Sequence, residues 1–332
     1  MAAGGRITDE IRAYRAYTGE SAQAARQIHP PAHRTSIPAA AGDQMHLEAE
    51  VFEALIHCTD WAVHPFAISR VRPHRDRLVL WVDESVAAFG RTYDAATQVL
   101  RRLAPYADED GSFVTGVAGL RLGGHSGRNL ELRMAGTSAV VVLRCAPRAS
   151  WRAAVGTVRA DIEAIGHRPL WDAGCVVDDS ERRFVGWQLD AFPRYAWLGS
   201  ALLRRMNLFR SASHAFYTKG WCCDGRFKFE LNSTTSAGSY HRQFIDRLTD
   251  TGLGIPLAVK DIDCYCDGAE PAQSGTCWIE LGSRTSDAIL QLRFCHNPQP
   301  RTIRFRPEFE SIGADPRWLD VVLPPLADHG RG

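Results

Sequence analysis

The sequence predicts an α+β protein in which about ten antiparallel strands form five helix–strand–strand units. Three observations predict this fold class: helical apolar patterns alternate with pairs of short strands, short turns join the strands of a pair, and most strands are apolar on one face only. A sheet of about ten strands twists and tends to close. We therefore expect a barrel, or a strongly curled sheet, with the helices outside.

Three parts are expected along the chain. Residues 1–45 are rich in Ala, Gly, Pro and Arg and are predicted to be a flexible arm outside the fold. Residues 46–306 form the barrel domain, and residues 307–332 form a C-terminal tail. Within the domain, the helices are predicted at 47–58, 86–104, 151–165, 194–206 and 240–248. The third is the clearest, since Ser150 can cap its start and Gly166 its end.

The strands follow the helices in pairs. They are predicted at 66–72 and 77–83, at 114–122, 129–134 and 139–145, at 169–177 and 183–189, in the hairpin 211–235, at 257–266, 276–281 and 288–295, and at 302–306. The dipeptide Asp224-Gly225 suits a two-residue hairpin turn. That turn places Cys223 opposite Arg226, Trp221 opposite Lys228, Lys219 opposite Glu230 and Tyr217 opposite Asn232.

Composition limits the function classes. The 332 residues carry a formal charge of +1 with 45% hydrophobic residues, which argues against a chain-wide nucleic-acid or membrane-surface role. The start of the chain has no apolar signal region, and no apolar run is long enough to span a bilayer. We therefore expect a cytoplasmic protein with reduced thiols.

The strand faces carry the candidate chemistry. In the hairpin 211–235 one face is apolar and the other is cationic and aromatic. An antiparallel sheet with one packed face and one wet face is the ordinary explanation of such a pattern. If the sheet closes, however, the polar side chains point inward and line a cavity.

This arrangement resembles the ABBA barrel of aromatic prenyltransferases. Their indole-acting branch carries Arg-x-Lys-x-Tyr on a strand, and here Arg226 and Lys228 match the first two positions while Glu230 stands in place of Tyr. The resemblance implies that cations bind an allylic diphosphate, namely Arg121, Lys219, Arg226, Lys228 and Arg293. It also implies that aromatic rings shield the carbocation, namely Tyr217, Trp221 and Tyr265. Glu230 or Glu131 would take the proton from the acceptor, although Glu230 also suits a cross-strand pair with Lys219.

No metal site and no required cofactor are predicted. Six cysteines lie between positions 222 and 295 without a C-x-x-C pair, so buried thiols are favoured over structural zinc. Asp261 and Asp263 are candidate Mg²⁺ ligands, with an exposed acidic strand as the alternative. Lys260 would need a β-bulge to join the cationic face.

Two classes of function follow from these features. The first, an enzyme, moves an isoprenyl group from its diphosphate to a small aromatic or peptidic acceptor in specialised metabolism, without nucleic acid or membrane. The second is a non-catalytic binding module whose cationic sheet face holds an anionic ligand or partner. Another transferase or cyclase on an unrelated α+β scaffold is a further alternative. Convergence of the cations on an enclosed pocket favours the enzyme, whereas their spread over an open sheet favours the binding module.

Overall fold

The computed structural model describes most of the chain. The described residues are 2–28, 36–56, 64–83, 95–145, 150–191, 195–212, 218–223, 226–233, 240–264, 275–283, 286–296, 306–311, 313–314 and 316–322. They form two five-stranded sheets, one three-stranded sheet and a set of helices. The structure is α+β, but none of these sheets closes on itself.

The elements are numbered in chain order. The helices are α1 (Ala2–Thr18), α2 (Ala22–Ile28), α3 (Gly42–Ile56), α4 (Ala95–Leu103), α5 (Trp151–Ala164), α6 (Asp179–Ala191), α7 (Ala196–Leu203), α8 (Asn207–Ala212), α9 (Tyr240–Leu248), α10 (Arg306–Ser311) and α11 (Pro316–Val322). The strands are β1 (Ile68–Pro73), β2 (Leu78–Val82), β3 (Tyr106–Ala107), β4 (Val114–Thr115), β5 (Leu120–Ser126), β6 (Asn129–Met134), β7 (Val140–Arg144), β8 (Arg168–Pro169), β9 (Thr218–Cys223), β10 (Arg226–Ser233), β11 (Leu257–Asp263), β12 (Gly275–Ser283) and β13 (Ile289–His296).

The predicted barrel is wrong because each large sheet ends at five strands. The first sheet has the order β1-β2-β7-β6-β5, and the second has the order β9-β10-β13-β12-β11. In each sheet a hairpin lies beside the last strand of a three-stranded meander, and this central pairing (β2 with β7, β10 with β13) is parallel. The strands are therefore not all antiparallel, and the helix–strand–strand unit is not the repeat of this fold.

The repeat is instead a helix, a hairpin, a helix and a three-stranded meander, and it occurs twice. The first copy contains α3, β1, β2, α4, β5, β6 and β7, and the second contains α7, β9, β10, α9, β11, β12 and β13. In both copies the meander has a bulge at the same place in its first strand pair, after Leu122 in one and after Val259 in the other.

Corresponding positions of the two copies also share residues. Glu131, Leu132, Ala139, Leu143 and Arg144 recur at identical spacing as Glu280, Leu281, Ala288, Leu292 and Arg293. The second helices match as well, since Gln98, Leu100, Arg102 and Leu103 correspond to Gln243, Ile245, Arg247 and Leu248. Topology and sequence together indicate an internal duplication.

One apolar core joins the two copies. The inner faces of both large sheets pack on helices, and their buried residues belong to a single cluster. Phe52 of α3 contacts Phe227 and Phe229 of the second sheet, with ring centroids 5.5 and 6.0 Å apart. Helix α3 also contacts β6 and β7 of the first sheet. It therefore packs on both sheets and ties the copies together.

The first helices of the two copies pack against each other. A Cβ placed on Gly199 of α7 would lie 3.0 Å from the Cβ of Ala49 of α3, so the two backbones are close. Next to this crossing, Glu48 is fully buried and accepts hydrogen bonds from Arg204 (2.6 and 2.7 Å) and from Ser200 (2.6 Å). A buried charge is tolerated when it is paired and hydrogen-bonded in this way.

The described part of residues 1–45 differs from the expected mobile arm. Tyr14 and Tyr17 of α1 are buried, and the Tyr17 hydroxyl donates to the Arg247 carbonyl at 2.6 Å. Ala25 of α2 is also buried. The predicted tail contains the helices α10 and α11. An ion pair between Arg306 of α10 and Asp320 of α11, at 2.8 Å, joins them.

The predicted strands at 169–177 and 183–189 are also wrong. Residues 168–169 form the short β8, and residues 179–191 form α6. The side chain of Asp178, read as part of a turn, accepts from the Glu181 backbone N–H at 2.9 Å and so begins a helix. By contrast, both predicted ends of α5 are confirmed. The Ser150 side chain caps the start by accepting a hydrogen bond from the Ala153 N–H, and Gly166 follows the end with a φ of +79°.

Candidate functional site

The predicted hairpin site lies on the open outer face of the second sheet. The register is the predicted one: Cys223 is opposite Arg226, Trp221 opposite Lys228, and Lys219 opposite Glu230. Lys219 and Arg226 are exposed, whereas Lys228, Glu230 and Trp221 are half-buried. Among the residues that the structure describes, the cations therefore spread over a sheet surface and do not converge on an enclosed pocket.

Residues of both charges lie on this face, and one ion pair joins them. Arg293 of β13 binds Glu230 at 2.6 Å and stacks over the ring of Trp278, 4.7 Å from its centroid. The acidic residues Glu280, Asp261 and Asp263 continue the face toward the edge strand β11. Lys260 is the unpaired residue of a bulge between Val259 and Asp261, and its side chain lies against Gly282. The face is thus mixed in charge, with its cations mainly on β9, β10 and β13.

Two predicted site residues belong to the other large sheet. Arg121 of β5 is buried and makes two hydrogen bonds to Glu181 of α6, at 2.8 and 2.7 Å. Glu131 of β6 pairs with Arg133 at 2.7 Å. Neither residue lies on the sheet that carries the hairpin. Tyr217 and Tyr265 lie outside the described residues.

The first sheet carries a cluster that was not predicted, which we call the Arg–Trp cluster. Trp81 of β2 lies between Arg70 of β1 and Arg144 of β7, its neighbours across the strands. The guanidinium carbons of Arg70, Arg72 and Arg144 lie 4.1, 5.0 and 5.5 Å from the centroid of the Trp81 ring. Cation–π attraction favours each of these contacts, but the three like charges repel one another.

One carboxylate enters the Arg–Trp cluster from the N-terminal helices. Glu20 is fully buried and binds Arg72 at 2.5 Å and Arg70 at 3.5 Å. It reaches them because Gly19, at φ +73°, approaches the Ser69 carbonyl so closely that a Cβ would lie 2.6 Å from its oxygen. Within the described part of the chain, Arg144 has no carboxylate at salt-bridge distance.

The local field at the Arg–Trp cluster is positive. Burial lowers the pKa of Arg70, Glu20 opposes that shift, and the charges of Arg72 and Arg144 add to it. Just beyond β1, burial and the positive charges of Arg77 and Arg72 hold the pKa of His74 below its ordinary value. Three guanidinium groups with one carboxylate leave an excess of positive charge, which favours an anion.

The duplication supplies an internal comparison for the Arg–Trp cluster. Arg144 corresponds to Arg293, and Trp81 corresponds to Glu230. In the second copy the carboxylate at this position pairs with the central arginine at 2.6 Å. In the first copy an uncharged ring replaces that carboxylate, so the central arginine keeps its charge available.

A surface groove of about 540 Å³ lies at the other edge of the first sheet, beside β5 and β6. It is lined by three arginines, each paired with an acidic residue: Arg121 with Glu181, Arg133 with Glu131, and Arg182 with Asp179. This pairing makes the groove a weaker anion site than the Arg–Trp cluster.

One group in the second copy suits a metal ion. His241 of α9, Cys264 after β11 and Cys277 of β12 bring their ligand atoms within 4.8 Å of one another. The two candidate Mg²⁺ ligands, Asp261 and Asp263, are exposed on the edge strand, as the alternative interpretation expected, and do not belong to this group.

Comparison with protein-family models, curated proteins and solved structures finds no match to this chain. None of the described helices combines the length and apolar character that crossing a bilayer requires.

The sequence contained only weak signals for these two groups. Arg70 and Arg72 alternate on a strand, but 36 of the 39 basic residues are Arg, so the pattern is common here. Arg144 joins them only through the parallel pairing of β2 with β7. His241 and the two cysteines come from three separate elements, so their spacing along the chain matches no zinc motif.

Proposed function

We propose that this protein is a non-catalytic binding module that holds a phosphate-bearing ligand at the Arg–Trp cluster on the open face of its first sheet. The observation that carries the proposal is the set of three guanidinium groups around Trp81, of which the described residues offset only one charge, with the carboxylate of Glu20. An open, half-exposed cationic face favours binding over the prenyl transfer expected from the sequence, which needs a site shielded from water.

Guanidinium groups suit this ligand class. Their planar forks donate paired hydrogen bonds to phosphate oxygens, and charge-assisted bonds are stronger than neutral ones. Arg70 and Arg72 are partly preorganised, because Glu20 and Trp81 fix their positions. The ligand would contact Arg144 and the outward edges of Arg70 and Arg72, whose side chains are 30% and 28% exposed.

The test is the binding of inorganic tripolyphosphate, measured by isothermal titration calorimetry at low salt. We expect Arg144→Ala to weaken binding about tenfold, the equivalent of 1.4 kcal/mol, a typical contribution of one charge-assisted hydrogen bond. Arg293→Ala is the matched control, since it removes the corresponding arginine of the second copy. It should change the affinity less than about twofold.

Two further measurements separate specific binding from general charge attraction. Arg144→Lys keeps the charge but loses the fork, so it should retain only part of the affinity. Added salt should weaken binding, because the cluster is partly exposed to the ions in solution. Equal losses in the two alanine variants, or no binding by the wild type, would contradict the proposal.

A further inference from the structure

The second copy contains an imidazole and two thiols that converge inside the fold. The sulfur of Cys264 lies 3.3 Å from the sulfur of Cys277 and 3.5 Å from Nε2 of His241. His241 is 2% exposed and Cys277 is fully buried, while Cys264 is half-buried. The three potential ligand atoms thus all lie within 4.8 Å of one another, and the imidazole of His241 packs beside the ring of Phe294.

From this geometry we propose that His241, Cys264 and Cys277 bind a Zn²⁺ ion. In a tetrahedral site with Zn–S near 2.3 Å and Zn–N near 2.05 Å, neighbouring sulfurs lie about 3.8 Å apart and a sulfur and a nitrogen about 3.5 Å apart. The observed sulfur–nitrogen distance of 3.5 Å agrees, and the observed sulfur–sulfur distance of 3.3 Å needs a widening of about half an ångström. Thiolate and imidazole are the ligands that select zinc among common divalent ions.

Comparison of the two copies supports a ligand at this place. His241 corresponds to the buried Ala96 of α4, and the two cysteines correspond to Gly127 and Arg128 in a tight turn. In the first copy that turn is tied by the Arg128 carbonyl, which accepts from the Trp151 indole at 2.9 Å. The three candidate ligands thus belong to the second copy alone, where they replace an alanine and two turn residues.

The proposed ion joins α9 to the hairpin of β11 and β12. His241 is the second residue of α9, Cys264 directly follows β11, and Cys277 of β12 directly precedes Trp278, the partner of Asp263. Binding requires that both thiols lose their protons to solvent as the metal–sulfur bonds form. The fourth position of the tetrahedron is left for water or another donor, so the ion pins the helix to the sheet through three protein ligands.

A disulfide between Cys264 and Cys277 is the competing explanation, since the two cysteines are cross-strand neighbours. It would need an oxidant and would shorten the sulfur–sulfur distance to about 2.05 Å. It would also not account for the imidazole of His241 beside the sulfur of Cys264. The two explanations predict opposite behaviour in a reduced preparation.

The test uses the full chain, reduced and freed of metal. With Co²⁺ as the probe, we expect thiolate-to-cobalt charge-transfer bands and tetrahedral d–d bands, both removed by added Zn²⁺. After dialysis against Zn²⁺, elemental mass spectrometry should find about one zinc ion per chain. The melting temperature of the protein should rise with Zn²⁺ concentration.

Variants assign the ligands. Cys264→Ser and His241→Gln should each lower zinc content to less than about a tenth of an equivalent after dialysis, since each removes one of the three ligands that the described residues provide. Cys175→Ser is the matched control, because Cys175 is an exposed thiol in another part of the fold, and it should keep the wild-type content. Near-ultraviolet circular dichroism identifies the variants that remain folded.

Three results would overturn the proposal: a reduced wild-type chain that takes up no metal, a folded Cys264→Ser variant with full zinc content, or equal loss in the Cys175→Ser control. Peptide mapping that finds a Cys264–Cys277 disulfide, together with absent metal uptake after its reduction, would establish the competing explanation.

Discussion

Glu53 of α3 carries a half-buried carboxyl group close to that of Glu50. Burial raises its pKa to about 7, and burial together with Glu53 raises the pKa of the neighbouring Glu50. The same carboxyl groups contribute to the raised pKa values of Cys222 and Tyr195, for which burial is the larger cause. In the described part of the chain, Oε2 of Glu53 is buried without a hydrogen-bond partner. Such a group is destabilising once it ionises.

The sign of the pH dependence follows from the raised pKa. Between the ordinary value of 4.5 and about 7, the folded state keeps a proton on Glu53 that the unfolded state has lost. Stability should therefore fall as pH rises through this window. We expect Glu53→Gln to stabilise the protein by about 1–2 kcal/mol at pH 8 and to change little at pH 4.5.

Urea unfolding at pH 4.5, 6 and 8 measures this effect. Asp110→Asn is the control, because Asp110 is exposed. The unfolding free energy of this variant should follow that of the wild type at every pH. A Glu53→Gln variant with the pH dependence of the wild type would show that the carboxyl is ionised at no cost.

Some residue contacts were predictable from the sequence and others were not. The pairs of the β9–β10 hairpin follow from local turn chemistry and alternation, and the predicted register is confirmed. The partner of Glu230 was predicted as Lys219, but its ion pair is with Arg293 of a parallel neighbouring strand. Arg144 joins Trp81 in the same non-local way, so neither contact can be inferred from spacing along the chain.

At the scale of the element, strong local signals gave correct predictions. Helix α9 and strand β6 have the predicted bounds, and α5 begins at its predicted cap. The strands predicted within residues 169–189 are wrong because Asp178, Asp179 and Ser180 suit the start of a helix as well as a turn. Predicted parts of other elements, such as 86–94 and 302–305, lie outside the described residues.

The crossing of α3 and α7 gives a prediction at the scale of the helix. Gly199→Ala would place a Cβ 3.0 Å from the Cβ of Ala49 and 3.0 Å from the ring of Phe227. We expect this overpacking to outweigh the better helix propensity of Ala and to destabilise the protein by about 1–2 kcal/mol.

A second helical glycine is the matched control. Gly156 of α5 is exposed, and a Cβ there would have no neighbour within 4 Å. Gly156→Ala should therefore stabilise the protein by about 0.5–1 kcal/mol. Chemical denaturation of both variants measures the difference, and a stabilised Gly199→Ala variant would show that the two helices can separate at no cost.

At the scale of the whole molecule, the barrel was predicted because consecutive strand pairs were assumed to continue one sheet. The parallel pairing of β10 with β13 places the end of each meander beside its own hairpin, which limits the sheet to five strands. The signal for this arrangement was in the sequence: Glu131-Leu132 and Leu143-Arg144 recur as Glu280-Leu281 and Leu292-Arg293. A search for one long repeat, in place of five short units, would have revealed it.

The shared core predicts that the two copies depend on each other. Because Phe52, Phe227 and the buried Glu48–Arg204 pair join them, residues 1–193 and 194–332 expressed separately should be insoluble or unfolded. Expressed together, they should co-purify as a one-to-one complex with the wild-type circular dichroism spectrum.

Size-exclusion chromatography and thermal unfolding measure this outcome. Either fragment alone as a soluble monomer with its own cooperative transition would contradict the interdependence. Glu48→Gln in the co-expressed pair should weaken association, because it leaves the Arg204 charge buried with a weaker partner.

The meeting of Ala49 with Gly199 has a consequence for how this chain arose. Allowing for the extra residue of the bulge in β1, the two residues hold the same place in their copies. A position that touches its own counterpart lies on a two-fold axis, as in a symmetric homodimer. An ancestor with one copy would then have assembled as a pair of identical chains, in which every substitution appeared twice. Fusion of two such copies would remove that constraint and let each half specialise separately: one with arginines around a tryptophan, the other with two thiols beside an imidazole.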